Sequence, residues 1–187
     1  MKNKSIVLII SFLLLTLSGQ AQRRLPGQQS LQATIGTVNG LGNNTLHCGF
    51  AFSQFNKNQN RWTFGAEYLL KKLEYRIQTI SIEQFTGEGG YFYTFLSDGS
   101  KTFFFTAGVS GMAGYEQVNR GKSILYDGST LLSKSKFLFG GAFSFEVEAY
   151  VIDRVILLAN FRQRILPAST VNRFNSQFGM GIKFIIN

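Results

Sequence analysis

The sequence predicts an all-β fold: an eight-stranded antiparallel up-and-down barrel of the outer-membrane kind, preceded by an N-terminal signal peptide. Three observations predict it. Apolar and non-apolar residues alternate with period two over eight stretches, the signature of strands with two different faces. One face of those stretches carries no Asp, Glu, Lys or Arg, while the other holds Arg61, Glu67, Glu88, Glu116, Glu146, Glu148, Arg162, Arg164 and Lys183. Short connections alternate with longer ones, which places the tight turns at one end of the barrel.

Composition narrows the class. The chain of 187 residues is 44% apolar and 14% aromatic but only 16% charged, below the roughly 25% charged of an ordinary soluble domain. The 19 Phe and 20 Gly make the excess. Such apolar and aromatic content excludes a disordered chain. A lone Cys48 and a lone His47 cannot build a four-ligand zinc site or a disulfide scaffold, so neither a metal nor another cofactor is expected.

At the N-terminus, Lys2 and Lys4 precede the apolar run from Ile6 to Leu17, and Ser18, Gly19, Gln20 and Ala21 follow. A basic start, an apolar core and small residues at the peptidase positions make residues 1–21 a secretory signal peptide, cleaved after Ala21. Its core of twelve residues falls short of the roughly 20 that span a bilayer as a helix. No Cys follows for lipid attachment. Removing Lys2 and Lys4 leaves 17 basic residues against 10 acidic, a formal +7. This charge is scattered rather than gathered into a run, so direct nucleic-acid binding is not expected.

Residues 22–29 lack periodicity and read as an unpaired N-terminal strap; residues 30–187 hold the barrel. Leu31, Ala33 and Ile35 mark the first strand. In the second, Leu46, Cys48, Phe50 and Phe52 alternate with His47, Gly49, Ala51 and Ser53, up to a polar turn at residues 56–60. Trp62 to Leu70 form the third strand. A polar stretch at residues 71–79, read as a longer connection, leads to the fourth, Phe85 to Phe95, and Ser97 to Ser100 make the next turn. The fifth strand, Phe103 to Tyr115, and the sixth, Phe137 to Val151, flank the longest loop at residues 119–135. Asp153 and Arg154 turn into the seventh, Val155 to Ile165. After residues 167–173 the last strand sets Phe178, Met180, Ile182, Phe184 and Ile186 against Gln177, Gly179, Gly181 and Lys183.

Alternation alone fits two opposite arrangements. A soluble periplasmic barrel that binds a small apolar ligand hides its apolar face and wets the polar one; a membrane barrel does the reverse. Two features favour the membrane. The aromatic-rich faces hold more apolar surface than one small barrel packs inside, and the polar faces are small and glycine-rich, suited to a narrow lumen. The nine charges then form a lumenal network with partners on neighbouring strands, because unpaired buried charge is expensive. Phe92, Phe104, Tyr150, Ile156 and Leu158 also point inward near the short turns, so a plugged barrel is expected. The expected location is the outer membrane of a Gram-negative bacterium, with membrane lipid and the barrel-assembly machinery as partners.

Trp62, Tyr93, Phe95, Phe103 and Phe184 gather near the short turns, and Tyr68, Tyr115 and Phe137 near the longer loops, as two interfacial girdles. Gln177, Gly179, Ile182 and Phe184 have the polar, glycine and terminal-aromatic spacing of a last-strand assembly signal. The loop at residues 119–135 is a candidate partner contact: Arg120, Lys122 and Lys134 stand against Asp127 alone, and Tyr126 and Leu131 are apolar residues that a solvated loop does not need. An equally weighted reading makes it a plain extension of the flanking strands. His47 has no Ser or Asp at a telling spacing, and the glycine-x-serine-x-glycine elbow is missing, so no catalytic residue is expected.

Three stretches carry a family resemblance: Arg61, Trp62, Phe64 to Leu69; Gln84 to Thr86 with Glu88 to Tyr91; and Phe95 to Asp98 with Ser100 to Phe104. Gly114 to Glu116 and Leu157 to Asn160 extend it. In these the chain resembles the TraO family of Bacteroides-type conjugative transposon (conjugal transfer) proteins. The resemblance implies a noncatalytic outer-membrane component of the conjugative transfer apparatus, anchoring or docking other conjugation proteins. A generic outer-membrane surface barrel unrelated to transfer is the alternative.

Overall fold

The computed structural model describes residues 24–39, 45–75, 78–119, 135–169 and 173–186. Eight strands follow in order: β1 (Gln29–Val38), β2 (Thr45–Phe55), β3 (Arg61–Tyr75), β4 (Gln78–Ser97), β5 (Phe103–Val118), β6 (Lys136–Ile152), β7 (Val155–Ile165) and β8 (Phe174–Ile185). Each pairs antiparallel with the next, and β1 closes on β8 from Ser30 opposite Ile185 to Val38 opposite Gln177. Closure leaves no strand edge along the paired length. That is the condition for a sheet to sit in hydrocarbon, where no water can satisfy an open backbone group.

The alternation read from the sequence is the alternation of the two barrel faces. Val109 and Phe143 are opposite each other on β5 and β6 and are 62% and 50% exposed, whereas Ser144, the next residue along, is fully buried. Phe50, Phe64, Phe85, Phe139 and Met180 repeat the outward pattern on other strands. The apolar face is therefore outside and the charged face inside. This overturns the soluble ligand-binding arrangement, which needs an apolar interior. The outward aromatics pack on one another near both rims: Trp62 meets Tyr91 edge-on at 5.0 Å, and Tyr115 meets Phe137 at 5.6 Å.

The short turns are built by side chains suited to them. Asp98 Oδ1 accepts from the backbone N–H of Thr102 (2.7 Å) and of Phe103 (2.8 Å), holding a loop in which Lys101 adopts φ 54°. In the β2–β3 turn, Asn58 and Gln59 have φ 61° and 66°, and the N–H of Asn56 donates to the Asn60 carbonyl at 2.6 Å. Asp153 and Arg154 alone join β6 to β7.

Two expectations change. Residues 71–79 are not a longer loop: β3 runs to Tyr75 and β4 starts at Gln78, paired through to the end. The alternation continues there with its sense reversed: Leu73 and Tyr75 take the parity of inward Leu69, as Ile80 and Ile82 hold the inward parity on β4, while Lys72 and Glu74 take the outward one, and the backbone keeps its ladder. Outward-parity charges, Lys72 and Glu83, begin in this extension. The strap is also not unpaired. The N–H of Gly27 donates to the Phe55 carbonyl and that of Phe55 to the Gln28 carbonyl, both at 2.8 Å, so the chain is tied to the end of β2 before β1 begins.

Inside, side chains fill the barrel in layers. Phe55, Ile156 and Ile185, with Tyr150 against them, close the short-turn end. Val38, Leu69, Ile80, Ile82 and Val118, with Met112, Leu138, Ala142 and Leu166, close the long-loop end. Charges lie between. Glycine makes the room: a Cβ on Gly108 would lie 2.4 Å from the ring of Phe92, its cross-strand partner, so the aromatic covers bare backbone.

Because Val109 and Phe143 face out near the middle of their strands, Val109→Arg or Phe143→Arg should destabilise the barrel by about 2–4 kcal/mol at the bilayer midplane. Reversible urea unfolding from lipid vesicles measures this. An unchanged unfolding curve for both variants would contradict a lipid-facing surface.

Candidate functional site

All nine charged residues expected in the lumen lie there, and the structure sorts them into a lower and an upper group. Near the short turns, Arg61 pairs with Glu146 and reaches Glu148 Oε1 at 3.0 Å, while Lys183 Nζ donates to the same oxygen at 2.6 Å. The Arg61 guanidinium also lies 4.7 Å from the Phe92 ring centroid. The expected pairing between neighbouring strands is not what is found: β3, β6 and β8 supply this group, no two of them are adjacent, and the long side chains meet across the narrow lumen.

Farther up, Glu67 is the hub. It accepts from Arg164 Nη1 at 2.8 Å, Arg162 Nη1 at 3.3 Å and Gln177 Nε2 at 2.8 Å. Arg162 continues to Glu88 Oε1 at 2.9 Å and to Ser144 Oγ at 3.1 Å. His47, on the inward face of β2, stands 3.8 Å from Glu67. Glu116, above them, accepts from Gln84 Nε2 at 2.7 Å and from Ser169 Oγ at 3.2 Å, and lies opposite Lys136 in the ladder. Two arginines reaching across one carboxylate suit the planar fork of the guanidinium, which a lysine could not replace in kind.

One member of the network was missed. Arg24, in the strap, enters the short-turn end of the lumen and pairs with Glu148. Its Nη1 donates to Thr94 Oγ1 at 3.2 Å and its Nε to the Tyr150 hydroxyl at 3.4 Å. Its guanidinium stacks 3.9 Å from the Phe104 centroid. With it, the buried charges of the described lumen are five acids, Glu67, Glu88, Glu116, Glu146 and Glu148, and five bases, Arg24, Arg61, Arg162, Arg164 and Lys183, none exposing more than 8% of its side chain. Period two carries no signal for Arg24, which precedes the first strand; of the buried strand charges five are acids and four are bases, and Lys71 and Lys136, also at inward positions, are half-buried toward the long-loop end.

The remaining candidates fall elsewhere. Gln177 and Gly179 face inward and Ile182 and Phe184 outward, so Gln177 serves the Glu67 hub whatever else it signals. Cys48 is exposed on the outer face. The candidate partner loop residues Arg120, Lys122, Tyr126, Asp127, Leu131 and Lys134 lie outside the described residues. Among the described residues no group of three or more His, Cys, Asp or Glu could hold a metal ion.

Comparison with known proteins places this architecture. The family described as conjugative transposon protein TraO matches residues 25–186. The chain belongs to the TraO family. The match begins one residue after Arg24 and runs through all eight strands, so the whole TraO barrel, and not one motif, carries it. No curated protein sequence matches the chain. Among solved structures, it is similar to the attachment invasion locus protein Ail of Yersinia pestis, crystallised with the heparin analogue sucrose octasulfate (TM-score 0.58, 9% identity, 87% of this chain and 100% of that one). It is also similar to the N-terminal β-barrel domain of Pseudomonas aeruginosa OprF (0.56, 7%, 86% and 98%). Neisserial surface protein A is a third (0.50, 11%, 85% and 96%). At such identities the likeness is one of fold: this TraO chain has the small-barrel fold of outer-membrane proteins.

Neutralising the hub should show what the network is worth. Glu67→Gln leaves the Arg164 guanidinium buried without its acid, and loss of one partner of a buried pair typically destabilises by about 3–5 kcal/mol. The same urea unfolding measures it; a variant as stable as the parent would mean that Glu67 does not hold the upper group.

Proposed function

We propose that this TraO-family barrel resides in the outer membrane and serves conjugative transfer as a noncatalytic anchor on which other components of the apparatus dock. The observation that supports this reading is the contrast between the two faces. The wall is suited to lipid all round, and the interior is closed by apolar layers at both ends and by neutralised charge between them. An eight-stranded lumen is only wide enough for its own side chains, so a DNA strand has no path through it. What such a barrel offers is position in the membrane and the surfaces at its two rims.

In this reading the signal peptide directs export and is removed after Ala21, which leaves Arg24 close to the new N-terminus and free to enter the lumen from the periplasmic, short-turn end. The assembly machinery inserts the barrel, with Gln177, Gly179, Ile182 and Phe184 as its last-strand signal. The longer connections then face outward, and the loop at residues 119–135 is the candidate contact with other transfer proteins, through a basic rim around apolar residues.

An in-frame deletion assayed for mating tests the role, with fractionation and heat-dependent gel migration to place the protein. The reading expects an outer-membrane protein whose loss lowers transfer by orders of magnitude and whose reintroduction restores it. Unchanged mating would leave a generic surface barrel instead. Replacing residues 121–134 by a short Gly/Ser turn separates anchor from contact: assembly should persist while transfer falls. Transfer at the parental frequency would remove the loop as the docking element.

A further inference from the structure

Arg24 is held by groups that belong entirely to the barrel wall. Glu148 and Tyr150 come from β6, Thr94 from β4, Phe104 from β5 and Phe55 from β2. Each is fixed by something other than Arg24. Glu148 is already gripped by Lys183 and Arg61. The Thr94 hydroxyl donates to the Gln59 carbonyl at 3.0 Å, which turns its lone pairs toward Arg24, and its N–H donates to Asn60 Oδ1 at 3.1 Å. The Tyr150 N–H donates to the Thr102 carbonyl at 2.9 Å, and its ring meets Phe104 edge-on at 5.5 Å. The Arg24 guanidinium thus enters a preformed site, with three ring centroids at 3.9, 5.1 and 5.9 Å and oxygen acceptors around its edge.

The geometry points to a guanidinium-binding socket at the short-turn mouth of the barrel, formed by Glu148, Thr94, Tyr150, Phe104 and Phe55 and filled by Arg24 of the chain's own strap. Its chemistry is specific. Aromatic faces attract a cation, more strongly when it is desolvated, and a carboxylate with two hydroxyls matches the planar fork of N–H donors of a guanidinium; an ammonium has donors but no planar fork, and an alkali ion has neither. The strap is its natural delivery device: the backbone pairing of Gly27 and Gln28 with Phe55 brings Arg24 to the mouth. Without that guanidinium Glu148 loses one of its three cations and Phe104 its stacking partner, so a free guanidinium entering from the mouth supplies both. The ligand class is therefore the guanidinium group, whether of Arg24 or of a small molecule that carries one.

Chemical rescue tests this in the full chain. Arg24→Ala, refolded in lipid, should lose its folded gel form at a temperature about 5 °C lower than the parent, the shift that one to two kcal/mol produces in a chain of this size. Guanidinium or methylguanidinium at low millimolar concentration should then restore most of the loss, with sodium at equal ionic strength restoring none and the parent unaffected. Arg24→Ala combined with Phe104→Leu should be rescued less, because the stacking face is gone. An unchanged transition in Arg24→Ala, or a loss that guanidinium repairs no better than sodium, overturns the socket. Should Arg24→Ala fold only poorly, folding yield with guanidinium against sodium is the readout, and equal yields overturn it as well. None of these outcomes depends on a role in transfer.

Discussion

The structure depends on one constraint: every charge inside the barrel has to be neutralised by another charge inside the barrel. The outer wall is apolar, and the apolar layers at both ends of the lumen keep bulk water from the middle. Moving a carboxylate or a guanidinium into such a place costs several kcal/mol, which only a well-placed partner offsets. Four of the five acids pair with the five bases, Glu116 lies opposite Lys136 in the ladder, and the inward glycines follow from the crowding. Long arginine side chains and stacked phenylalanines need space, and Gly108 beneath Phe92 shows how the wall is thinned to provide it. The same constraint explains why the strap is drawn inside. Glu148 lies near the mouth beside which Arg24 is tethered, and the guanidinium meets its carboxylate there.

The wall was legible in the sequence because its two faces are so unlike, apolar outside and charged or small inside. A strand that faces hydrocarbon on one side and a narrow lumen on the other has no freedom in its pattern, so Val109, Phe143 and Phe178 could be assigned outward and Glu146, Glu148 and Lys183 inward residue by residue. Legibility ended where that contrast reversed. Above the belt, β3 and β4 continue as a paired hairpin to Tyr75 and Gln78, but there Leu73 and Tyr75 fall on the inward parity and Lys72 and Glu74 on the outward one, the reverse of the belt. A pattern that asks for apolar residues on the outward parity therefore breaks off at Leu70, although the ladder runs on to Tyr75 opposite Gln78.

The lumen was legible in part. Which residues face inward follows from period two, but which acid meets which base depends on the stagger between strands. Glu67 on β3 takes Arg162 and Arg164 from β7 and Gln177 from β8, across the barrel rather than along a ladder. Arg24 lay outside the reach of any periodicity, since it precedes the first strand. Gln177 carries two readings at once, a partner of Glu67 inside and a position in the assembly signal, and the internal one is enough to require its presence.

The most direct test of the central claim, an apolar wall set against lipid around a self-neutralised interior, uses the chain's single tryptophan. Trp62 faces outward at the short-turn girdle, edge-on to Tyr91, where a bilayer places its interface. In vesicles made with lipids brominated at successive acyl positions, its emission should be blue-shifted and quenched most by bromines nearest the headgroup, with quenching falling toward the chain ends. Emission at the wavelength of a water-exposed indole, unaffected by bromine at any depth, would contradict the account.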